Sequence, residues 1–398
     1  MATLPLHVAV GTSGVADGFT AGQQASRIAL TRLEGRKAAC AIVFGSSWFD
    51  QEQLIKGTGT VLKGVPLAGG STAGEITADG PKSHSCVVVA FASEDVAYGV
   101  GLGTTLDRDP RLAGYQAAQQ AMRNMQGKPR SGMVFFGDGL LTGYAEVVRG
   151  MQEVLGTSSL VTGALTGDDL KFSHTTQYAN GQPHSRTLVG LLFGGNCQVG
   201  IGMEHGFSPI SKPRQITKAH MNILYELDQH PASSVYEEYF GSAATEAAQG
   251  SALTRGLIAY PLGIQHDNSA RQFLLRNVMT FGPNGSLVCT GEVTEGSWVQ
   301  LMIGSKELAL EAAVSAAQAA IRPLRSVRCV LVFDSVVRKR LLGQEVATEI
   351  HRIRQVVGAS VPLAGCYTYG EQAPLGGASP YGQSSLQTGA CLVIAIGQ

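Results

Sequence analysis

Apolar and polar positions along this chain alternate between two rhythms. One is helical, with apolar residues three and four apart: Tyr115, Ala118, Met122 and Met125, then Tyr144, Val147, Val148, Met151 and Leu155. The other is a short unbroken apolar run, as at 86–92 and 188–193, which fits a strand buried on both faces. Read in order, the pattern predicts an Ala-rich helix at 20–33, a strand at 38–45, a helix at 49–62 and a strand at 66–76. A hairpin of 86–91 with 96–103 turns at Ser93-Glu94-Asp95. The order then repeats. Asp109 caps a helix with Pro110 at its first position, and Gly127 ends it. Strands at 132–136 and 160–166 flank the next helix, Asn180-Gly181 turns a hairpin, and 188–193 pairs with 198–202.

The segment 205–213, HGFSPISKP, breaks both rhythms. Beyond it the spacing predicts helices at 216–227 and 235–240. Strands follow at 256–260, 272–281, 287–293 and 299–303, with a turn at Pro283-Asn284-Gly285. A last module follows. Its first helix aligns Leu310, Val314, Ala317 and Ile321, and its second aligns Val346, Ile350, Ile353 and Val357. It closes on a strand at 391–396. The fold class is α/β: duplicated helix-strand-helix-strand-hairpin modules forming mixed sheets covered by helices, two sheets in all. The expected division is a first domain at 1–205, a linker at 206–214 and a second domain at 215–398.

One sequence unit occurs twice. PLAGGSTAGE at 66–75 returns as PLAGCYTYGE at 362–371, with Pro, Leu, Ala, Gly, Thr, Gly and Glu in common. The strands ahead of them also correspond, CAIVFGS at 40–46 and CVLVFDS at 329–335. A repeat of this size means a fold built by duplication. The expectation is that the two glycine-lined stretches enclose a hollow for a modest ligand. Thr72, Glu75, Tyr367, Thr368, Tyr369 and Glu371 would line it; the alternative is that the glycines permit close strand packing and each Glu satisfies backbone amides. Gly167-Asp168-Asp169 reads as the counterpart of Ala73-Gly74-Glu75, which adds Asp168. Consecutive strand residues face opposite ways, so Asp168 and Asp169 do not form a paired acid and base.

Composition narrows the function. Charged residues make up only 15% of 398 residues, and 30 basic residues balance 30 acidic ones. No basic stripe or basic amphipathic helix points to nucleic acid or an anionic membrane. No apolar run reaches the roughly 20 residues of a membrane helix, and the start lacks a signal pattern. These features fit a soluble, cytoplasmic protein. Seven cysteines sit mostly in apolar runs, none as CxxC, and read as reduced buried thiols.

PLAGGSTAGE, LVTGALTGDD, ILYELDQHPASSVYEEYFG and PLAGCYTYGE together resemble the FIST family, as a FIST N domain followed by a FIST C domain over nearly the whole chain. The resemblance implies an intracellular sensory module for a small ligand. Stand-alone members of this type resemble haem-containing nitric-oxide sensors that regulate a histidine kinase. Without a kinase, cyclase or methyl-accepting segment, output would pass to a separate protein. Haem needs an axial ligand. Of nine histidines, His205 at the boundary beside Gly206-Phe207 is the first candidate and His230 the second. His84, His174 and His184 lie in turn-like segments, His7 near the start, His266 in a loop, and His351 on a polar helix side. His220 and His230 bracket the helix at 216–227. Cys366 and Tyr367 are further ligand options. An alternative function is a hydrolase or transferase with Cys366 as nucleophile. A catalytic thiol needs a base within reach, and no linked His/Asn pattern, GxSxG or phosphate-loop spacing is present.

Overall fold

The computed structural model describes residues 6–125, 127–241, 257–265, 273–374 and 384–398. The architecture is mixed α/β. Three six-stranded sheets form a body, and a nine-stranded antiparallel sheet forms a unit inserted between Glu204 and Lys306. The helix-strand-helix-strand-hairpin module occurs three times, and three body sheets replace the two expected.

Each module opens on a self-capped helix. Asp17, Asp109 and Ser305 accept N–H bonds from Thr20 (2.8 Å), Leu112 (2.9 Å) and Leu308 (3.1 Å). They start the helices Gly18–Arg32, Pro110–Asn124 and Lys306–Ile321. The first strands, Cys40–Ser46, Arg130–Gly137 and Val327–Ser335, pair in parallel with Leu67–Thr72, Val161–Leu165 and Leu363–Thr368. The chain then leaves its own sheet. Glu75–Thr77 pairs with Leu363–Thr368, Gln177–Ala179 with Leu67–Thr72, and Gly370–Pro374 with Val161–Leu165. Closing strands are exchanged as well. The hairpins expected of 86–91 with 96–103 and of 188–193 with 198–202 do not form: Val96–Gly103 pairs instead with Leu188–Gly195, and Gln198–Glu204 with Cys391–Gly397, while His7–Ser13, which opens the chain, takes the edge beside Cys86–Ala92. Every sheet is thus shared between modules in a cycle, and the body has approximate threefold order.

The inner faces of the three sheets meet in one core. Phe44, Phe136 and Phe333, one from each module, stack edge to face with centroids 6.1, 5.9 and 5.8 Å apart. Helix pairs cover the outer faces at close range. A Cβ at Gly101 would lie 1.9 Å from the Ala117 carbonyl oxygen, and one at Gly202 1.9 Å from that of Ala316. The shared GVGLG and QVGIG endings are therefore helix-contact surfaces. All seven cysteines are free and buried. Among the described residues no helix is long and apolar enough to cross a membrane.

Several elements differ from expectation. Residues 216–227 are not a helix but the strands Arg214–His220 and Ile223–Leu227, turned at Met221. Register shifts after Ile216 and Lys218 break the two-residue alternation, leaving an apparent spacing of three and four. The 66–76 strand is two strands, because Ala73-Gly74 carries it between sheets. The strand expected at 272–281 is Phe273–Arg276 and Val278–Phe281. Leu257–Ala259 is a 3-10 turn rather than a strand. The expectations at Gly256, His266 and Gln272 lie outside the described residues.

Candidate functional site

The decapeptides form corners where a strand changes sheets. In the first, the Thr72 hydroxyl donates to Glu75 Oε1 (2.5 Å), while Glu75 Oε2 accepts from the Ser85 hydroxyl (2.6 Å) and N–H (3.2 Å). In the second, the Thr368 hydroxyl donates to Glu371 Oε1 (2.6 Å), and the Ala390 N–H donates to Oε2 (3.1 Å). The third corner does the same work with an amide. Gln177 Nε2 donates to Thr166 Oγ1 (2.9 Å), and its Oε1 accepts from Thr187 N–H (3.2 Å) and Oγ1 (3.1 Å). Ser85, Thr187 and Ala390 each precede the strand that occupies the same place in its sheet. The counterpart of Glu75 is therefore Gln177, and not the Gly167-Asp168-Asp169 stretch. Burial pushes Glu75 up to about 7, against the lowering effect of its Ser85 and Thr72 bonds. Burial likewise pushes Glu371 well above the usual carboxyl range.

These corners are filled. Thr72, Glu75, Thr368 and Glu371 have no exposed surface and line none of the three cavities described below. Their hydrogen bonds satisfy one another and the backbone. Tyr367 is also fully buried, under the Lys339 ammonium 4.6 Å from its ring centre. Lys339 in turn donates to the Ala73 carbonyl (2.7 Å).

Tyr369 does line a cavity. A cleft of about 450 Å³ runs between the body and the inserted sheet. Its body wall carries Tyr369, Phe172 and Val337, and its opposite wall Ile258, Met279 and Val288. Phe172 stacks on Tyr369 with centroids 5.0 Å apart. Asp168 builds this wall from behind. Its carboxylate accepts N–H bonds from Phe172 (3.0 Å), Ser173 (2.7 Å) and His174 (3.0 Å), and a hydroxyl bond from Tyr369. Burial would raise its pKa, but these bonds outweigh it and hold the carboxyl below its ordinary value. Asp169, Leu170 and Phe172 all take left-handed backbone angles, with φ of 56°, 63° and 51°. Such angles cost roughly 1–2 kcal/mol per side-chain-bearing residue and persist only where other contacts fix them. The Asp168 bonds supply that constraint. Asp169 turns outward and accepts from the Ser47 hydroxyl (2.9 Å).

A second cavity of about 530 Å³ adjoins the cleft, sharing Leu141, Thr142 and Thr290 with it. Arg276 and Gln372 line it. A third, of about 690 Å³, is lined by residues of strand starts and connections including His7, Lys37, Lys63 and Glu94.

The haem-ligand candidates line none of these three cavities. His205 is half-buried, its Nδ1 accepting the Phe207 N–H (3.0 Å). Burial, and then the Arg338 charge, lower its pKa to about 4, so the ring is neutral. It lines none of the three cavities. His230 is exposed on the two-residue strand His230–Pro231. Cys366 is buried, and burial followed by Glu75 and Glu371 pushes its thiol well up, opposing the thiolate that a nucleophile or ligand requires. These residues therefore do not fit an axial role toward the described cavities. Asp334, Glu349 and Cys391 come together with metal-ligand chemistry, but Arg338 bonds both carboxylates and takes the cation's place. Arg338 also donates to the carbonyls of His205 (2.8 Å) and Ala309 (2.9 Å).

Phe172, Met279, Arg276 and Gln372 went unnoticed in the sequence. Arg276 carried a signal, as the one charge in the apolar run FLLRNVMTF at 273–281. So did Gln372: the residue after the first decapeptide is Ile76 and that after the second is Gln372.

Fold and cavities define an α/β protein of three cyclically interlocked modules, with a cleft under an inserted β unit. The chain belongs to the FIST family: the FIST N domain matches residues 39–230 and the FIST C domain residues 232–374. FIST domains are small-ligand sensors in signal transduction. No curated protein matches the chain. Among solved structures it is similar to a cyanuric acid hydrolase from A. caulinodans, at 10% identity over 98% of this chain and 99% of that one, with a TM-score of 0.40. Another cyanuric acid hydrolase matches at 10% identity over 99% and 100%, with a TM-score of 0.36. T. maritima PurL complexed with FGAR matches at 10% identity over 98% and 72%, with a TM-score of 0.24.

Proposed function

We propose that this protein is a sensory module that binds a small, largely apolar ligand in the Phe172–Tyr369 cleft and passes the change to a separate signalling partner. The observation that carries this reading is the cleft of about 450 Å³, whose walls come from both the body and the inserted sheet. That volume falls within the range of roughly 300–1,000 Å³ usual for small-molecule sites. A ligand held by both walls favours whichever relative position of the two units fits it, and differential affinity of this kind shifts a conformational population. Hydrogen bonds through Thr388, which lines the cleft, join the two parts: Asn277 donates to the Thr388 carbonyl, and the Thr388 hydroxyl donates to the Leu275 carbonyl (2.9 Å).

The test is a thermal-shift screen of cytoplasmic metabolites, repeated on Phe172→Ala and Met279→Ala. A specific binder raises the melting temperature by mass action. Hits should lose most of their shift in both variants. A hit whose shift survives both places the ligand elsewhere and refutes the cleft. The finer form of the reading has haem as ligand, nitric oxide as signal and a histidine kinase as partner. It requires a stoichiometric Soret band after purification from haem-supplied cells. Because the described candidates offer the cleft no axial ligand, the expected spectrum lacks one.

A further inference from the structure

The cavity beside the cleft contains a buried cation with no anion to match it. Arg276 is 5% exposed. Its Nε donates to the Glu292 carbonyl (2.7 Å), and its Nη1 to the carbonyls of Leu275 (2.9 Å) and Leu386 (2.9 Å). Every one of these partners is a backbone oxygen. Among the described residues no carboxylate forms an ion pair with it, and Nη2 has no acceptor. Glu292, exposed, lines the same cavity without reaching ion-pair distance. A buried guanidinium is ordinarily matched by a carboxylate or phosphate, because removing its charge from water is costly.

Gln372 faces the same space. It is fully buried, its Nε2 donates to the Ser384 hydroxyl (3.1 Å), and its Oε1 has no partner. It lies opposite Gly163 and pairs with Leu386, whose carbonyl Arg276 holds. The equivalent positions of the other modules, opposite Gly365 and Gly69, hold Ile76 and Tyr178. Both of those are packed in apolar cores. An unpartnered amide oxygen at this place is specific to the module that borders the cavity; the Tyr178 hydroxyl is taken by Gln51.

We infer that Arg276 and Gln372 form the head-group subsite for a small organic carboxylate that also carries a hydrogen-bond donor, its apolar body lying in the adjoining cleft. The carboxylate meets Arg276, and the donor meets Gln372 Oε1. This assignment rests on the cleft being the ligand chamber, and it adds the chemical class of the ligand.

Mandelate, which joins a carboxylate, a hydroxyl and a phenyl ring, is a suitable probe, with mandelamide as its neutral control. Calorimetric titration of the full chain should show mandelate binding at least tenfold more tightly than mandelamide. Gln372→Glu places a competing carboxylate beside Arg276 and should abolish that preference, as should Arg276→Lys through loss of the planar fork. Each variant is first checked for cooperative melting without ligand. Should Arg276→Lys fail to fold, Gln372→Glu decides alone. Equal binding of acid and amide by the wild type overturns the inference, as does undiminished mandelate binding in Gln372→Glu, or no binding of either probe. If acid and amide bind equally and Phe172→Ala weakens both, the cleft stands and only the anion subsite falls. If mandelate binds with the expected Gln372→Glu sensitivity but is indifferent to Phe172→Ala, the head-group subsite stands and the cleft falls.

Discussion

Replacing Glu75 with glutamine tests the corner chemistry most directly. Glu75 lies buried in a cradle of Thr72 and Ser85, and burial lifts it from 4.5 to about 7. The folded protein therefore holds this proton more tightly than the unfolded chain does. Stability from this group is fully present below about pH 4.5 and is lost as pH rises through 7. The rise corresponds to about 3 kcal/mol at most, of which roughly 2–3 kcal/mol falls between pH 5 and pH 8. Gln177 shows that a neutral amide fits the same place, donating to a threonine hydroxyl and accepting from the residue before the next strand. Glu75→Gln should thus cost little at pH 5 and should stabilise the protein relative to wild type at pH 8. Urea unfolding of both proteins at the two pH values measures the difference. Glu371 and Glu349 shift in the same direction, so the decisive quantity is the change in pH dependence caused by the substitution. An unchanged pH dependence, or a variant weaker at pH 8 than at pH 5 relative to wild type, refutes the reasoning.

Other outcomes follow from named contacts. Arg338→Ala leaves the Asp334 carboxylate buried and unpaired and frees the His205 carbonyl, so it should cost about 3–5 kcal/mol in denaturant unfolding. Gly101→Ala drives a methyl group into the Ala117 carbonyl and should cost about 1–3 kcal/mol, visible as a lower melting temperature. Asp168→Asn weakens charge-assisted bonds that hold the left-handed loop. It should lower stability by about 2 kcal/mol and speed hydrogen exchange at Phe172 and Ser173, which mass spectrometry can follow.

Much of the body could be read from the sequence, because its signals are local. Asp109-Pro110 marked a helix start, and the decapeptides marked equivalent strands. What could not be read was partner choice. Nothing in the run from Pro66 to Ile76 says that Leu67–Thr72 and Glu75–Thr77 belong to different sheets, since that depends on a strand nearly 300 residues away. The polar residues of the decapeptides looked like a ligand wall for the same reason. A Thr and a Glu three apart are chemically equal to a binding pair until the corner between them is seen. Asp168 was found by its apparent alignment with Glu75, yet its actual task is to hold the eleven-residue connection 166–176, where the other modules turn within one or two residues. The inserted unit was least legible, since bulges at Ile216 and Lys218 disguise strands as a helix.

The position of the cleft follows from where threefold order fails. In the first module the corner is tight and the pairing position holds an apolar Ile76. The second module lengthens its corner, and that extra chain carries Phe172. The third retains the Thr-Glu clamp but places Tyr369 at its corner and Gln372 where the others have Ile76 and Tyr178. These two departures face each other, and the inserted sheet, which enters the chain between these same two modules, covers them. A body held rigid by three interlocked sheets gains nothing in stability from a strained loop, a stacked exposed Phe172 and an unmatched Arg276. Costs of this kind concentrate where a protein meets a ligand. If residues 167–176 were replaced by the two-residue corner of the first module, keeping Thr166 beside Gln177, the body should fold with equal or greater stability, and ligand-dependent thermal shifts should disappear. A shortened variant that still responds to the same ligands would show that the departures from symmetry are unrelated to sensing.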